Sequence, residues 1–128
     1  MGTYELSRSF VFESAHTLQR ESVVPDAANG SRRIHGHSYR ATVTIAGEPD
    51  LASGMLLDLD FFAQALSTVK DTLDHRLLDE VTGLGPSTLE SLSRFIWRSL
   101  APGLPGLHRV SVSRDMTGEA CSYTEVLP

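Results

Sequence analysis

Three histidines are spaced as the ligands of a metal ion would be. His35 and His37 flank Gly36 in the run H-G-H, and His16 ends an earlier stretch of alternating apolar residues. In a β-strand, residues two apart point to the same side, so the imidazoles of His35 and His37 face one point. With His16 at the end of a neighbouring strand, the pattern predicts a three-nitrogen site, typical of a catalytic zinc ion with one open coordination position. The alternative is three unrelated histidines, each bonded to backbone or water.

A carboxylate next to an imidazole, in Asp74-His75, is a second candidate for chemistry. The carboxylate can fix the tautomer of the ring and raise its basicity, which suits acid–base catalysis near neutral pH. Taken alone, however, the pair fits an aspartate that ends a helix, followed by an exposed histidine. Cys121 lies in a predicted strand and is interpreted as a structural thiol, because buried inert thiols outnumber reactive ones.

The composition is that of one globular domain spanning residues 1–128. Hydrophobic residues make up 41% of the chain and charged residues 21%, and the net charge of −5 argues against a general nucleic-acid binder. A single cysteine excludes an intrachain disulfide. The N-terminus lacks the apolar core of a signal peptide, and no stretch approaches the ~20 apolar residues of a membrane span. We therefore expect a soluble, cytoplasmic protein with no membrane or nucleic-acid partner.

Four strands are predicted from alternation of apolar and polar residues. The first runs from Tyr4 to His16 and the second from His35 to Ile45, each with its apolar residues on one face. Residues 17–32 between them are polar, contain Pro25 and Asn29-Gly30, and are interpreted as a long loop. Two shorter strands close the chain, at about residues 108–113 and 120–127.

Two helices are predicted between the strand pairs. Apolar residues from Leu59 to Leu73 follow helical spacing, with Asp58 as N-cap. The second helix opens at Ser87-Thr88-Leu89-Glu90, a capping-box pattern in which Ser87 is the cap and Glu90 the third helical residue. The order ββααββ predicts an α+β domain, a four-stranded antiparallel sheet with two helices on one face.

A set of ordered motifs gives the chain a family resemblance. The runs FVFESAH, IHGHSY, GMLLDL, LDHRLL, STLES with FIW downstream, and the terminal CSY occur in this order. Over about residues 4–124 the chain resembles the 6-pyruvoyl-tetrahydropterin synthase / 6-carboxy-tetrahydropterin synthase family. The resemblance implies the tunnelling (T-) fold, with trimers stacked into homohexamers and active sites between subunits. Family members eliminate triphosphate from dihydroneopterin triphosphate and rearrange its side chain, in bacteria on the way to the queuosine bases.

The resemblance also implies roles for particular residues. The family's zinc ligands fall on His16, His35 and His37. Its acid–base couple falls on Asp74-His75, and its substrate-side Thr-x-Glu falls on Thr88 and Glu90. Zinc would hold the hydroxyls of the substrate side chain and make them more acidic.

Two positions depart from the family pattern. Ser31 stands where the family has its catalytic cysteine, and a serine hydroxyl is a much poorer proton acceptor than a thiolate. Arg114 stands where a glutamate grips the guanidine-like edge of the pterin, and a guanidinium has no acceptor to offer that edge. Asp115 or Glu119 would replace the glutamate if the strand shifts. A lesser departure is Ser91, which replaces the usual asparagine.

Three functions follow in order of preference. The first is a zinc-dependent carbon–oxygen lyase acting on a pterin triphosphate or a close relative, with weak or absent standard synthase activity because of Ser31 and Arg114. The second is a diverged paralogue with the same scaffold and metal but another substrate, for which Arg114 would prefer a carboxylate, phosphate or carbonyl oxygen. The third is a non-catalytic zinc-binding homo-oligomer.

Overall fold

The computed structural model describes residues 2–19, 24 and 26–126. Along the chain, the elements are β1 (Tyr4–His16), α1 (Ala27–Arg32), β2 (His35–Gly47), α2 (Leu59–Leu73), β3 (Arg76–Leu77), a 3-10 turn (Leu78–Glu80), α3 (Leu89–Leu100), β4 (Leu107–Arg114) and β5 (Glu119–Tyr123). None of the described helices is long and apolar enough to cross a membrane.

The two longest strands pair with each other along their whole length. The antiparallel register runs from Tyr4 opposite Gly47 to His16 opposite His35. In this register the apolar residues of one strand lie opposite those of the other. Phe12 therefore lies opposite Tyr39 in the core, with their rings stacked 5.0 Å apart. The predicted strands are confirmed, and the pairing brings two of the three histidines of interest together at one end of the sheet.

The sheet has five strands in the order β3-β1-β2-β4-β5. The α+β class is confirmed, but the prediction of four antiparallel strands is wrong, because two-residue β3 pairs in parallel with Ser14 and Ala15 of β1. A strand of two residues is too short to show alternation, so the sequence does not reveal it. The rest of the outer edge of β1, and the outer edge of β5, have no strand partner among the described residues.

The core lies between one face of the sheet and the helices. Helix α2 packs against β1, and α3 packs against β4, β5 and α2. Side chains that are at most 2% exposed come from the strands and both helices: Phe12, Tyr39, Ala41, Val43, Phe62, Leu66, Leu73, Leu92, Ile96, Val110 and Val112. The other sheet face carries cross-strand hydroxyl pairs, including Ser7–Thr44 and Ser9–Thr42, both at 2.8 Å. The helices therefore cover one face only, as predicted.

Helix boundaries differ from the predictions at two places. Helix α1 occupies part of the segment interpreted as a loop, of which residues 20–23 and 25 lie outside the described part of the chain. The capping box on Ser87 is wrong: α3 begins at Leu89, and Thr88 is the cap, with its hydroxyl accepting from Ser91 N at 3.1 Å. The hydroxyl of Ser87 is instead engaged by His16 and Thr17. The Asp58 cap of α2 is confirmed.

The last strand is also shifted from its predicted place. It begins at Glu119 and ends at Tyr123, whereas the prediction ran to Leu127, which lies outside the described residues. The turn that precedes it contains Gly118, whose φ of 87° lies in the left-handed region that favours glycine. This turn brings Glu119 directly opposite Arg114.

Candidate metal centre and adjoining cleft

The three histidines converge as the spacing predicts. One ring nitrogen from each of His16, His35 and His37 lies within 4.8 Å of the others. His16 Nε2 is 2.9 Å from His35 Nε2, and the ring centroids are 4.5–4.9 Å apart. His16 is only 3% exposed, and the other two rings are half-buried. We call this group the histidine triad.

Hydrogen bonds to main-chain carbonyls fix the tautomers of two of these rings. His16 Nδ1 lies 2.9 Å from the carbonyl oxygen of Ser87, and His35 Nδ1 lies 2.8 Å from that of Arg33. A carbonyl oxygen can only accept, so each Nδ1 carries the hydrogen and each Nε2 keeps its lone pair. Two lone pairs facing each other at 2.9 Å repel unless a proton or a cation lies between them. This donor set fits a divalent metal that accepts imidazole nitrogen, as zinc does.

The surroundings of His16 and His37 keep these two rings neutral. Burial lowers the pKa of His37 to about 4, with a further contribution from the nearby Arg114 guanidinium. Burial likewise lowers the pKa of His16, and the hydrogen bond to Ser87 offsets part of this. Near pH 7 both rings are neutral, which is the form that binds a metal.

A second layer of contacts holds His16 in place. The residue after it, Thr17, donates its N–H to Asp79 Oδ1 at 2.9 Å and its hydroxyl to Asp79 Oδ2. Ser87 Oγ in turn donates to the Thr17 carbonyl at 3.3 Å. Sequence reasoning missed these bracing roles of Asp79, Thr17 and Ser87. Their contacts span 62 and 70 positions of sequence, and a carboxylate within the apolar LLDE run is the only local signal.

A cleft of about 180 Å³ opens beside His16. Its wall is formed by Tyr39, Arg114 and the first turn of α3, including Thr88 and Glu90. The structure thus brings three residues that were expected to contact a substrate to the side of the histidine triad.

Arg114 lies between the triad and the β4–β5 hairpin. Its Nη1 is 3.5 Å from His37 Nε2, and its Nε is 3.7 Å from Glu119 Oε2. Asp115 turns to the helix-free face of the sheet, where it pairs with Arg40 at 2.8 Å. Of the two acidic residues considered in place of the family's glutamate, only Glu119 is therefore on the side of the histidines.

The Asp74-His75 couple is built outside the triad, and His75 and His37 both line one surface cavity of about 500 Å³. Asp74 Oδ1 accepts from Glu13 N at 2.8 Å, and this bond holds the pKa of its carboxyl below the usual value. Its Oδ2 lies 3.0 Å from His75 Nδ1, and His75 N donates to Glu13 O at 2.7 Å. The His75 side chain is 80% exposed. No hydrogen bond, ion pair or ring contact between described residues joins His75 to the triad.

Two further residues have local structural contacts. The hydroxyl of Ser31 donates to the Ala27 carbonyl at 2.9 Å inside α1, and the Ser31 carbonyl accepts from Leu18 N at 2.7 Å. Helix α1 is therefore tied to the chain just after His16. Cys121 is half-buried against α3, with its sulfur 3.8 Å from the hydroxyl of Ser93.

Comparison with known proteins agrees with the fold and the motifs. The chain matches the model of the 6-pyruvoyl tetrahydropterin synthase family over residues 5–126. A 6-carboxy-5,6,7,8-tetrahydropterin synthase from Synechocystis is 34% identical over 119 residues, 88% of each chain. The human 6-pyruvoyl tetrahydrobiopterin synthase is 31% identical over 112 residues, 79% of this chain and 77% of that one.

Comparison with solved structures also finds a 6-pyruvoyl tetrahydropterin synthase. The 6-pyruvoyl tetrahydropterin synthase of Caenorhabditis elegans matches with a TM-score of 0.83 and 27% identity, covering 98% of both chains. This confirms the predicted T-fold. Together with the paired strands and the motifs they carry, these matches show that the chain belongs to the 6-pyruvoyl tetrahydropterin synthase family of pterin synthases.

Proposed function

We propose that this chain is a zinc-dependent carbon–oxygen lyase that acts in the cytoplasm on dihydroneopterin triphosphate or a closely related pterin. The observation that carries the proposal is the histidine triad, in which Nε2 of His16 and Nε2 of His35 face each other beside a cleft. His16, His35 and His37 would hold the metal. When bound there, zinc would act as a Lewis acid on the hydroxyls of the substrate side chain.

The other residues of the cleft bind and orient the substrate. The Glu90 carboxylate is exposed at the first turn of α3, where it can accept from N–H groups of a heterocycle. The Thr88 hydroxyl already caps α3, so its part in binding depends on the lone pair that remains. Both residues sit on a rigid helix, which favours precise placement of the ligand.

Proton transfer is assigned to His75. Asp74 is a carboxylate at neutral pH and accepts from His75 Nδ1, which leaves the Nε2 lone pair free to take a proton from the substrate side chain. Because His75 is 80% exposed and has no described contact with the triad, the site is complete only when a second copy supplies this couple. The unpaired outer edges of β1 and β5 are suited to such assembly, since sheet edges readily pair with another chain.

Ser31 is expected to limit the rate of the reaction, because it is a poor proton acceptor. Its hydroxyl already donates to Ala27 O within α1, and a serine hydroxyl stays protonated near neutral pH, so it is a poor proton acceptor without a dedicated base. We therefore expect slow turnover of dihydroneopterin triphosphate, followed through release of triphosphate, by protein that holds one zinc per chain. Ser31→Cys should raise turnover by at least about ten-fold, because a thiolate becomes available.

Each outcome of this assay separates the candidate functions. Substoichiometric zinc in the purified protein would contradict the metal site. Fast turnover by the wild-type chain would contradict the role given to Ser31. No turnover by zinc-loaded Ser31→Cys would rule out the named lyase reaction and leave the diverged enzyme or the zinc-binding oligomer.

Mixed oligomers test the site between subunits. His16→Ala and His75→Ala are each expected to be inactive alone. When they are unfolded and refolded together in equal amounts, about one quarter of the sites combine an intact triad with an intact Asp74-His75 couple, and activity returns. Absence of recovery in co-refolded oligomers would show that each site is made from one chain.

A further inference from the structure

Arg114 presents a guanidinium to the cleft beside the histidine triad. It follows Val110 and Val112 in the alternation of β4, so its side chain projects to the helix-covered face of the sheet. The side chain is only 27% exposed. Arg114 is the last residue of β4 on the face that packs against the helices, and it lines the cleft. It is therefore placed to contact a ligand in that cleft.

The donors of Arg114 lack close acceptors within the described chain. Nε and Nη2 are each 3.4 Å from the Thr117 hydroxyl, Nη1 is 3.5 Å from His37 Nε2, and Nε is 3.7 Å from the Glu119 carboxylate. Charge-assisted hydrogen bonds of a guanidinium are normally about 2.7–2.9 Å long, and the strong ones use two N–H groups at once. The guanidinium is thus held in position by long contacts, and its capacity for a close, two-point contact is unused.

The lining of the cleft carries two opposite charges, the Arg114 guanidinium on β4 and the Glu90 carboxylate on α3. Glu119 offsets the charge of Arg114 only through one contact at 3.7 Å. A divalent metal at the triad would add further positive charge. On the α3 wall, the Glu90 carboxylate makes no hydrogen bond or ion pair with another described residue.

From this arrangement we infer that the cleft selects a ligand bearing an anionic oxygen group, a carboxylate or a phosphate, which Arg114 binds through two N–H groups. The part of the ligand that carries N–H donors then faces Glu90. This inference rests on the proposed function, because it names the substrate class of the same site. It makes Arg114 the residue that determines specificity at this end of the cleft.

Matched pairs of oxidised pterins test the inference on the zinc-loaded full chain by isothermal titration calorimetry. The carboxylate arm compares 6-carboxypterin with 6-hydroxymethylpterin, and the phosphate arm compares neopterin triphosphate with neopterin. In at least one arm we expect the anionic member to bind at least about ten-fold more tightly. Arg114→Gln should reduce that preference to less than about three-fold. Arg40→Gln removes the same charge on the helix-free face and should retain the full preference.

Metal analysis of every variant excludes loss of zinc as the cause of a change. If Arg114→Gln does not fold, Arg114→Lys keeps the charge without the two-point geometry, and the preference should fall by about three-fold. A preference that is absent from the wild type, or that is undiminished in the folded Arg114 variants, overturns the inference.

The assay also separates this inference from the proposed function. Pterins that bind equally well with or without Arg114 would leave the proposed lyase standing and refute the role of Arg114. If no pterin binds but inorganic tripolyphosphate binds in an Arg114-dependent manner, the anion site stands and the pterin substrate is wrong. Failure of all five probes to bind contradicts both.

Discussion

His16 and His75 are two imidazoles with the same local chemistry in opposite surroundings. In each, Nδ1 faces an oxygen acceptor, the Ser87 carbonyl for His16 and the Asp74 carboxylate for His75. His16 is 3% exposed and its Nε2 faces a second imidazole, whereas the His75 side chain is 80% exposed and its Nε2 faces solvent. The first site is finished by the chain's own fold. The second is oriented by the fold, and its Nε2 has no hydrogen-bond partner among the described residues.

The backbone reinforces this contrast. His75 has a φ of 57°, a left-handed conformation that costs a non-glycine residue free energy. His16 ends a regular strand with an extended backbone. A histidine at a strained, exposed position contributes little to folding, so its presence there is consistent with a role in chemistry.

The largest expected difference between the two histidines is in metal affinity. His16→Ala removes a ligand, so zinc affinity should fall by at least about 100-fold, more than is typical for loss of an outer-shell residue. His75→Ala should retain one zinc per chain with unchanged affinity. Competition with a chromophoric chelator measures both. Equal losses of affinity in the two variants would remove the distinction between the two histidines.

The next effect concerns the residues that orient each imidazole. Asp79→Ala deprives the Thr17 N–H and hydroxyl of their acceptor, which loosens the end of β1, and zinc affinity should fall by about ten-fold. Asp74→Ala also removes a carboxylate that braces β1, but at Glu13, and should leave zinc affinity within about two-fold of wild type. If Asp79→Ala and Asp74→Ala lower zinc affinity by similar factors, the cause is general destabilisation of the fold and not a change in the orientation of His16.

We expect the free energy of unfolding of the metal-free protein to fall at acid pH, because two rings of the triad have lowered pKa values. The native-state pKa of His37, about 4, lies below its ordinary value of 6.5, and that of His16 is lowered too, so the unfolded chain binds more protons between these pH values. The free energy of unfolding should therefore be highest above pH 6.5 and fall as the pH drops toward 4. We expect a loss on the order of 1–2 kcal/mol, since partial solvation screens the effect.

Urea unfolding in the presence of a chelator measures this slope. His37→Gln should flatten it, whereas His75→Gln should keep the wild-type slope. A slope that is unchanged in His37→Gln would place the titrating groups elsewhere in the fold.

The smallest effect is on stability at His75 itself. Because glycine adopts a positive φ readily, His75→Gly should change the free energy of unfolding by no more than about 1 kcal/mol, in the stabilising direction. His75→Ala keeps the backbone strain and should differ from wild type by less than about 0.5 kcal/mol. Thermal unfolding of both variants provides the measurement. A marked destabilisation by glycine would show that the imidazole supports the fold.

The alternation of apolar and polar residues predicted β1 and β2, the two strands that carry the triad. The core residues of the strands ending at His16 and beginning at His35 stand at every second position, Phe10 and Phe12 in the first and Tyr39, Ala41 and Val43 in the second. The same alternation puts His37 on the face of His35. The sequence therefore predicts this face for His35 and His37, and the register of the strand pair then places His16 opposite His35.

The parts that could not be predicted depend on contacts between distant positions. The pairing of β3 with Ser14 and Ala15 involves two residues, too few for a pattern. Ser87 and Thr88 are equally good caps in isolation, and what decides between them is the contact of Ser87 with His16, 71 positions away. The side on which Asp115 and Glu119 lie was open in the sequence, because Asp115 begins and Glu119 follows a hairpin turn whose length the sequence does not fix.

The acceptors that orient His16 and His35 are main-chain carbonyls, those of Ser87 and Arg33. A carbonyl is present whatever side chain its residue carries, so no single substitution at these two positions deletes the acceptor. Substitutions of the side chains at these two positions therefore leave the hydrogen-bond acceptors of the triad in place. Neighbouring residues such as Ser31 and Arg114 can therefore change, and the ligand with them, while the three imidazoles stay aligned.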